Sequence, residues 1–296
     1  MLALLLGASI LGAGLFVDMV LNDDDSDNDV DQDTDIETGN ETGNEDNGDL
    51  IDVALSGNGT SYIGTELNER IMGTNGADSI DGGAGDDILN GLVGGDLLLA
   101  GEGNDIVYGG GGNDVIGTSA GDDRLFGEDG DDLIVDEDDV PDSGNDFIRG
   151  GDGNDSLASD DGFDELRGDL GNDLLFALDA DPAEASPDTL IGGFGDDTLL
   201  GDEGDILTGG EGTDLFGVLI PSNDAGPATI TDFDPLTESI EIETLGELGT
   251  GAEVTFSATD DGTGTIVSVA GTQFVVLENT TPDMLILGTN ITVFGI

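Results

Sequence analysis

Acidic side chains recur through the middle of the chain at a fixed spacing. Aspartates stand nine residues apart from Asp78 to Asp132, and after short insertions the spacing resumes as far as Asp214. A glycine stands two residues before nearly every one of them, and an aliphatic residue or Phe stands two residues after each. Carboxylates can bind hard cations as oxygen ligands, or they can work in pairs as general acid and base. Fifteen such units in register make cation binding and acid–base catalysis the two candidate chemistries.

The amino-acid composition excludes most other kinds of functional site. The chain has 68 acidic residues against four basic ones, all Arg, and a net charge of -64. This charge excludes nucleic acid as a partner and makes divalent cations the natural counterions. The chain has no Cys, His or Lys, so it has no disulfides, no thiolate or imidazole zinc site, no His-containing triad and no Schiff base. Carboxylate pairs such as Asp86 with Asp87 are accounted for by the repeat, and we expect no enzyme activity.

The nine-residue period defines the elements that must position these aspartates. It fits half of a coil, a six-residue turn followed by a three-residue strand, because glycine supplies the positive φ angles of a tight turn. Two halves make an 18-residue coil whose successive turns stack as parallel strands. The middle residue of each strand then points inward. These inward positions form one apolar column: Ile80, Leu89, Leu98, Val107, Ile116, Leu125, Ile134, Ile148, Leu157, Leu166, Leu175, Leu190, Leu199, Leu207 and Phe216.

Stacking the turns also stacks their charges. Turns on one side would lie about 4.8 Å apart, the spacing of strands in a sheet. At an effective dielectric constant near 20, each pair of neighbouring carboxylates would repel by roughly 3 kcal/mol. A hard dication between adjacent turns would reverse this repulsion, with carboxylates and turn carbonyls as its oxygen ligands. The sequence therefore favours cation binding over catalysis.

The pattern resembles the RTX nonapeptide repeat family, Gly-Gly-x-Gly-x-Asp-x-aliphatic-x, whose β-roll winds around Ca²⁺ ions. The match is close in "GGAGDDILN" (82–90), "GGGGNDVIG" (109–117), "GGDGNDSLA" (150–158) and "GGFGDDTLL" (192–200). The resemblance implies several bound Ca²⁺ ions, with the sixth-position Asp as side-chain ligand and turn glycines as carbonyl ligands. The implied side-chain ligands are Asp78, Asp87, Asp96, Asp105, Asp114, Asp123, Asp132, Asp146, Asp155, Asp164, Asp173, Asp197, Asp205 and Asp214. The implied carbonyl ligands are Gly83, Gly85, Gly103, Gly110, Gly112, Gly121, Gly130, Gly144, Gly151, Gly153, Gly171, Gly193 and Gly195.

Some units depart from the pattern. "GTELNERIM" (64–72) has Leu67 and Glu69 at the key positions and is typical of a cap. "GLVGGDLLL" (91–99) has apolar residues in its turn. "AEASPDTLI" (183–191) lacks the glycine, so Asp188 is left out of the ligand set, and "GDEGDILT" (201–208) is one residue short.

Composition divides the chain into five segments. Residues 1–21 are apolar except for Asp18 and favour either a membrane anchor or an atypical signal peptide, although no Lys or Arg precedes the apolar run. Residues 22–50 are acidic and typical of a disordered linker. Residues 51–72 form an N-terminal cap, residues 73–217 the β-roll repeats, and residues 218–296 a C-terminal β cap domain.

The C-terminal segment alternates apolar and polar residues in runs typical of half-buried strands, with "TDDGTG" (259–264) as a hairpin turn. Its stretch "ITDFDPLTESIEIE" (230–243) resembles the region that follows the repeats in bacterial proteases and lipases of type I secretion. That resemblance implies the type I secretion machinery as a partner and an export signal in this region.

Together these features predict an all-β protein, a parallel β-roll held by Ca²⁺, secreted by a bacterium or held at its surface. The favoured role is structural or adhesive, and a cell-surface or matrix polysaccharide is a candidate partner. A secreted hydrolase with an unrecognised catalytic site, and a calcium-responsive regulator, remain as alternatives.

Overall fold

The structure of the chain is a computed structural model. It describes residues 50–118, 120–136, 144–178, 186–220, 226–244 and 253–295. The predictions for the apolar segment 1–21 and for nearly all of the acidic linker 22–50 lie outside these residues. Within the described part of the chain, no helix is long and apolar enough to cross a membrane.

The described residues form two sheets whose strands alternate along the chain. The first sheet has the spatial order β1 (Ile51–Ala54), β3 (Glu69–Met72), β5 (Ile88–Val93), β7 (Ile106–Gly111), β9 (Arg124–Asp129), β11 (Phe147–Asp152), β13 (Glu165–Leu170), β15 (Thr189–Phe194), β17 (Ile206–Glu211), β19 (Ala228–Ile230), β23 (Thr272–Glu278), β22 (Gly264–Val269) and β21 (Val254–Ala258). The second sheet has the order β2 (Ser61–Thr65), β4 (Ser79–Gly83), β6 (Leu97–Leu99), β8 (Val115–Thr118), β10 (Leu133–Asp136), β12 (Ser156–Ser159), β14 (Leu174–Ala177), β16 (Thr198–Gly201), β18 (Leu215–Ile220), β20 (Ser239–Thr244) and β24 (Ile291–Gly295).

In the repeat region, each strand pairs in parallel with the strand one coil later. The partners in most of the repeat are 18 residues apart, as between Ile88 and Ile106. The offset rises to 23 residues between Arg124 and Phe147, where the first insertion lies between β10 and β11. Every strand therefore stays in register through the irregular units, and the predicted all-β parallel β-roll is confirmed.

The predicted apolar column is the core. Every one of its members is buried, from Ile80 through Phe216. The column also extends beyond the repeats, through Val53 and Ile71 at the start and through Ile230, Ile240 and Ile291 at the end. One aliphatic side chain per strand fills the narrow space between the two sheets. Each such side chain adds about 1.5–3 kcal/mol only when a neighbouring coil covers it.

The expectation of uniform three-residue strands is wrong for the first sheet. There most repeat strands have six residues, as in β5, because pairing continues into the first half of the turn. Gly94 N–H, for example, still donates to the Gly111 carbonyl at 2.8 Å. Stacked turns repeat the same backbone path, so they hydrogen-bond like the strands that precede them.

The C-terminal segment continues both sheets instead of starting a separate one. Strands β19 and β23 add to the first sheet in parallel, and β20 and β24 add to the second. Strands β21 and β22 form an antiparallel hairpin through the turn at residues 259–264, where Thr259 N–H donates to the Gly264 carbonyl at 3.0 Å. The sheets thus run across residues 72 and 217, and the domain boundaries there stay predictions from composition.

Candidate metal-binding turns

The turns line two edges of the coil, and the two edges differ. The glycine edge comprises the turns that follow strands of the first sheet, and each has Gly at its first and fourth positions and Asp at its sixth: residues 73–78, 91–96, 109–114, 127–132, 150–155, 168–173, 192–197 and 209–214. The substituted edge comprises the turns that follow strands of the second sheet. Its first position has Ala, Thr, Asp or Ser in five of its turns: Ala100, Thr118, Asp136, Ser159 and Ala177. Both insertions and the shortened unit also lie on the substituted edge.

On both edges, the sixth-position aspartates form a buried ladder. One side-chain oxygen, Oδ1, accepts the backbone N–H of the sixth-position residue one coil earlier, as from Asp96 N–H to Asp114 Oδ1 at 2.7 Å. The same bond recurs along both edges at 2.7–2.9 Å. Asp188, which lacks the glycine in its unit, takes its place in this ladder like the others. The ladder brings together every predicted side-chain ligand.

The second oxygen, Oδ2, has a different environment. It is buried and has no hydrogen-bond partner in nine of these residues: Asp87, Asp96, Asp105, Asp114, Asp132, Asp155, Asp173, Asp197 and Asp214. At Asp114 it lies in space that the first glycine of its turn leaves open. A Cβ on Gly109 would come within 2.6 Å of Asp114 Oδ2 and 2.8 Å of the Gly127 carbonyl oxygen. The Asp114 carboxylate oxygen and the carbonyl oxygen of Gly127 in the next coil therefore both lie close to Gly109, where there is no room for a side chain. Two such oxygen donors fit a hard dication.

Burial makes these carboxylates hard to ionise without a cation. It raises the pKa of Asp105, Asp114, Asp155 and Asp197 to about 7. It raises the pKa of Asp87, Asp132 and Asp173 to about 6. Neighbouring carboxylates add to the shift, and the ladder hydrogen bonds oppose it. The four Arg lie on the outer face of the first sheet, in β3, β9, β11 and β13, and their ion pairs go to Asp52, Asp169 and Glu165 rather than to the sixth-position aspartates.

Two predicted ligands have internal donors for both of their oxygens. Asp78 Oδ1 accepts Thr60 N–H and Asp78 Oδ2 accepts Thr74 N–H, both at 2.6 Å. Asp205 Oδ1 accepts the ladder bond, while its Oδ2 accepts Asp202 N–H at 2.6 Å. The full set of predicted ligands is therefore not uniform.

The glycines predicted as carbonyl ligands are the residues that allow the turns to stack. All of them have positive φ except Gly144, which follows the first insertion. At the fourth position a Cβ would also collide with the backbone one coil earlier, as a Cβ on Gly130 would with the Gly112 carbonyl. The role of their carbonyl oxygens as ligands stays a prediction.

Two glutamates extend the file of acidic side chains beyond the predicted set. Glu69 donates its N–H to Asp87 Oδ1 at 2.7 Å and accepts Thr65 N–H at 2.9 Å. Glu238 directly precedes β20, as Asp214 precedes β18, and its Oε2 accepts Asp234 N–H at 2.7 Å. Burial first and then Asp214 raise the pKa of Glu238 to about 7. The signal in the sequence was Ile240, which stands two residues after Glu238 as the column residues do after each Asp.

A second ladder of side chains, which is exposed, was not predicted from the sequence. It is formed by the fifth-position residues, and on the glycine edge it runs through Asn113, Asp131, Asn154, Asn172 and Asp196. Each side-chain Oδ1 accepts the N–H of the fifth residue one coil later, so this ladder points in the opposite direction to the buried one. The signal was the recurring Asn-Asp and Asp-Asp dipeptides.

Across the described residues, no three carboxylates converge into one metal cluster, so a cation in these turns would need backbone carbonyls as further ligands.

Comparison with known proteins agrees with this geometry. The family model described as RTX calcium-binding nonapeptide repeat (4 copies) matches residues 63–98, 91–120, 118–135, 142–175 and 183–216. The repeat region of the chain therefore belongs to this family, and it binds several Ca²⁺ ions. RTX repeat proteins are typically secreted, and their repeats are structural elements. No curated protein matches the chain.

Solved structures with similarity include two subunits of the Azotobacter vinelandii mannuronan C5-epimerase. AlgE6R3 is 28% identical with a TM-score of 0.28, covering 52% of this chain and 82% of its own. AlgE6R2 is 27% identical with a TM-score of 0.23, covering 49% of this chain and 91% of its own. The extracellular lipase LipA from Serratia marcescens is 17% identical with a TM-score of 0.25, covering 82% of this chain and 42% of its own. With TM-scores this low, these likenesses say nothing about activity or substrate.

Proposed function

We propose that the chain is a secreted or surface-held structural protein whose β-roll forms when Ca²⁺ fills its turns. The observation that carries this proposal is the set of buried, unpartnered Oδ2 atoms beside turn carbonyls. A buried polar atom without a partner costs about 1–3 kcal/mol, and more when it is charged. Such a cost, repeated in nine turns, supports a fold that depends on its ions.

The proposed ligands follow from the two edges. On the glycine edge, the proposed ligands are the sixth-position aspartates from Asp96 to Asp214, each with an unpartnered Oδ2 and a first-position glycine. On the substituted edge, Asp87 and Asp105 meet the same condition for Oδ2. Asp78 and Asp205 are weaker candidates because backbone N–H groups already occupy both of their oxygens. Bound calcium supplies the positive charge that the turns lack.

A structural or adhesive role fits a chain whose repeat is explained by ion sites and a single apolar column. The alternatives from the sequence, a hydrolase and a calcium-responsive regulator, have no observation in their favour. Cell-surface and supernatant fractions, with the N-terminus of the secreted form sequenced, would decide between an anchored and a free protein.

The test of calcium-dependent folding is spectroscopic. In calcium-depleted buffer at neutral pH we expect an expanded chain, and in millimolar Ca²⁺ a compact, β-rich one, measured by far-UV circular dichroism and hydrodynamic radius. Mg²⁺ at the same concentration is the control, because it demands tighter octahedral geometry and gives up water reluctantly. Identical spectra with and without calcium, or equal folding in Mg²⁺, would contradict the proposal.

A further inference from the structure

A groove crosses the outer side of the glycine edge. It has a volume of about 880 Å³ and passes over the ends of β5, β7, β9, β11, β13 and β15. These six strands are neighbours in the first sheet, so the groove spans five strand spacings, about 24 Å. Its floor includes glycine backbone at Gly110, Gly151 and Gly193. The groove is long and open, a shape that suits a linear occupant.

The charged side chains of the groove lie mostly at its centre. There the exposed carboxylates of Glu128, Asp129 and Asp152 lie beside Phe126 and beside Arg149, which pairs with Asp169. The three ion pairs among the described residues join Arg70 with Asp52, Arg149 with Asp169 and Arg167 with Glu165, so the central carboxylates have no basic partner.

The two ends of the groove are apolar. Val93 is 56% exposed at one end, and Leu170 and Phe194 are 45% and 54% exposed at the other. A complementary occupant would be basic at its centre and apolar at both ends.

Backbone strain is concentrated in the same groove. Leu92, Glu128 and Asp169 have φ angles of 77°, 75° and 75°, in the left-handed region that glycine adopts most easily. Each of the three is the second residue of its turn. In the other turns along the groove, the second residue is a glycine with positive φ: Gly110, Gly151 and Gly193. Two other described non-glycine residues share such angles, Ala270 and Asn279, and both lie in the C-terminal segment. Clustered strain of this kind is typical of binding sites.

The complementary occupant has to come from another molecule. The chain has no Lys, and its four Arg lie in β3, β9, β11 and β13, so no other segment can supply positive charge to the groove. A second copy has the same net charge of -64 and would be repelled. We propose that the groove binds an extended basic peptide segment of a partner protein, anchored by apolar residues at both ends. The groove needs stacked turns, so this proposal rests on the calcium-dependent fold proposed above.

The strand spacing sets the pattern of such a peptide. From the strand of Val93, the strands of Asp129 and Asp152 lie about 10 and 14 Å away, and those of Leu170 and Phe194 about 19 and 24 Å away. An extended peptide rises about 3.3 Å per residue. Basic residues therefore belong at its fourth and fifth positions, and apolar residues at its first, seventh and eighth. The backbone of the floor already pairs within the sheet, so side chains would supply most contacts.

The experiment uses fluorescence anisotropy on the calcium-saturated full chain. The probe is a labelled eight-residue peptide with Leu at positions one and seven, Arg at four and five, Phe at eight and Ser elsewhere. A peptide of the same composition with Arg at both ends is the charge control. We expect the first peptide to bind at least about tenfold more tightly, because only it can place charge and apolar groups together.

Matched variants separate the groove from the general negative charge. Phe194→Ala and Asp129→Asn should each weaken binding at least about fivefold. Phe163→Ala removes an exposed Phe from the substituted edge, and Glu102→Gln removes an acid from the third position of a turn there. Neither substitution should change peptide binding. Circular dichroism in calcium confirms that each variant is folded, and Asp152→Asn replaces any variant that is not.

Three results would overturn the proposal. The two peptides could bind equally, which would mean attraction by net charge alone. Phe194→Ala and Phe163→Ala could have equal effects, which would mean that the groove is not the site. If neither peptide binds but a neutral linear glycan does, the groove would be assigned to sugars. If the parent chain does not fold in calcium, the proposed function fails, whereas the results above concern the groove alone.

Discussion

At the scale of single residues, the two carboxylate oxygens of ladder aspartates such as Asp114 have separate roles. Oδ1 is fixed by a backbone N–H one coil away, so it orients the side chain and links the coils, as Asp114 does for Asp96. Oδ2 remains for a ligand. Substitution by Asn keeps an oxygen for the ladder bond but lowers the charge, whereas Ala removes both. The pair of substitutions therefore distinguishes ion binding from structural support.

Asp114→Asn and Asp114→Ala should both raise the calcium concentration needed for folding, followed by circular dichroism. At saturating calcium the Asn variant should approach the parent, because mass action offsets a weaker site. The Ala variant should stay less stable by about 1–3 kcal/mol, because the buried Asp96 N–H loses its acceptor.

Asp131→Asn is the matched control for this experiment. Asp131 lies in the exposed ladder, where its Oδ1 accepts Asn154 N–H at 2.8 Å. Its substitution should leave both the stability and the calcium midpoint essentially unchanged. Equal shifts of the calcium midpoint for Asp114→Asn and Asp131→Asn would show that the buried ladder is not the ion site.

At the scale of the elements, close stacking of the turns decides which glycines are required. Gly112 has a φ of 129°, and a Cβ there would overlap the Gly94 carbonyl one coil earlier. Gly111, its neighbour, has no atom closer than 4.0 Å to such a Cβ and no positive φ. The two adjacent glycines therefore differ in kind, although the sequence does not distinguish them.

Gly112→Ala should lower the stability of the calcium-bound fold by at least about 2 kcal/mol, because strain and collision add. Gly111→Ala should be neutral to within about 0.5 kcal/mol. Thermal unfolding in saturating calcium measures both. A Gly111→Ala variant as unstable as Gly112→Ala would mean that turn glycines act through chain flexibility rather than through the stacking seen here.

The parts of the fold that follow from one repeated unit were predictable from sequence. The column residue Val107, the turn before it and the parallel register all follow from a period of nine. Features that depend on two coils together were not. The exposed ladder through Asn113 and the difference between the two edges arise only when turns of different sequence are stacked. The N–H groups that donate to Asp78 Oδ2 and Asp205 Oδ2 come from the same turns, but they depend on local backbone geometry that the nine-residue period does not specify. Glu238 was missed because it is a Glu where the consensus has Asp, and because it lies beyond the last repeat.

At the scale of the whole molecule, charge controls whether the coil can exist. The chain has a net charge of -64, and its buried ladders place carboxylates one coil apart with no basic side chain among them. Calcium can neutralise these ladders, and so can protons. Protons would act at the same carboxylates, so acid and calcium should replace each other in part.

The sign of the pH dependence without calcium follows from the raised pKa values. An aspartate has a pKa near 3.9 in an unfolded chain, whereas burial raises the pKa of Asp105, Asp114, Asp155 and Asp197 to about 7 in the fold. The folded state therefore binds more protons between these limits. The stability that protonation provides is complete below about pH 4 and is lost as pH rises through about 7.

Calcium-depleted chain should therefore become more compact and richer in β-structure when the pH falls from 7.5 to 5, because protons replace the missing ions. At a limiting calcium concentration, the same protons should displace Ca²⁺ from the carboxylates, so fewer ions should be bound at pH 5 than at pH 7.5. Far-UV circular dichroism and hydrodynamic radius test the compaction, and the calcium bound at each pH tests the competition. A depleted chain that is equally expanded at pH 5 and 7.5 would mean that charge in the ladders is not what keeps it unfolded, and that calcium supplies specific coordination which neutralisation alone cannot replace.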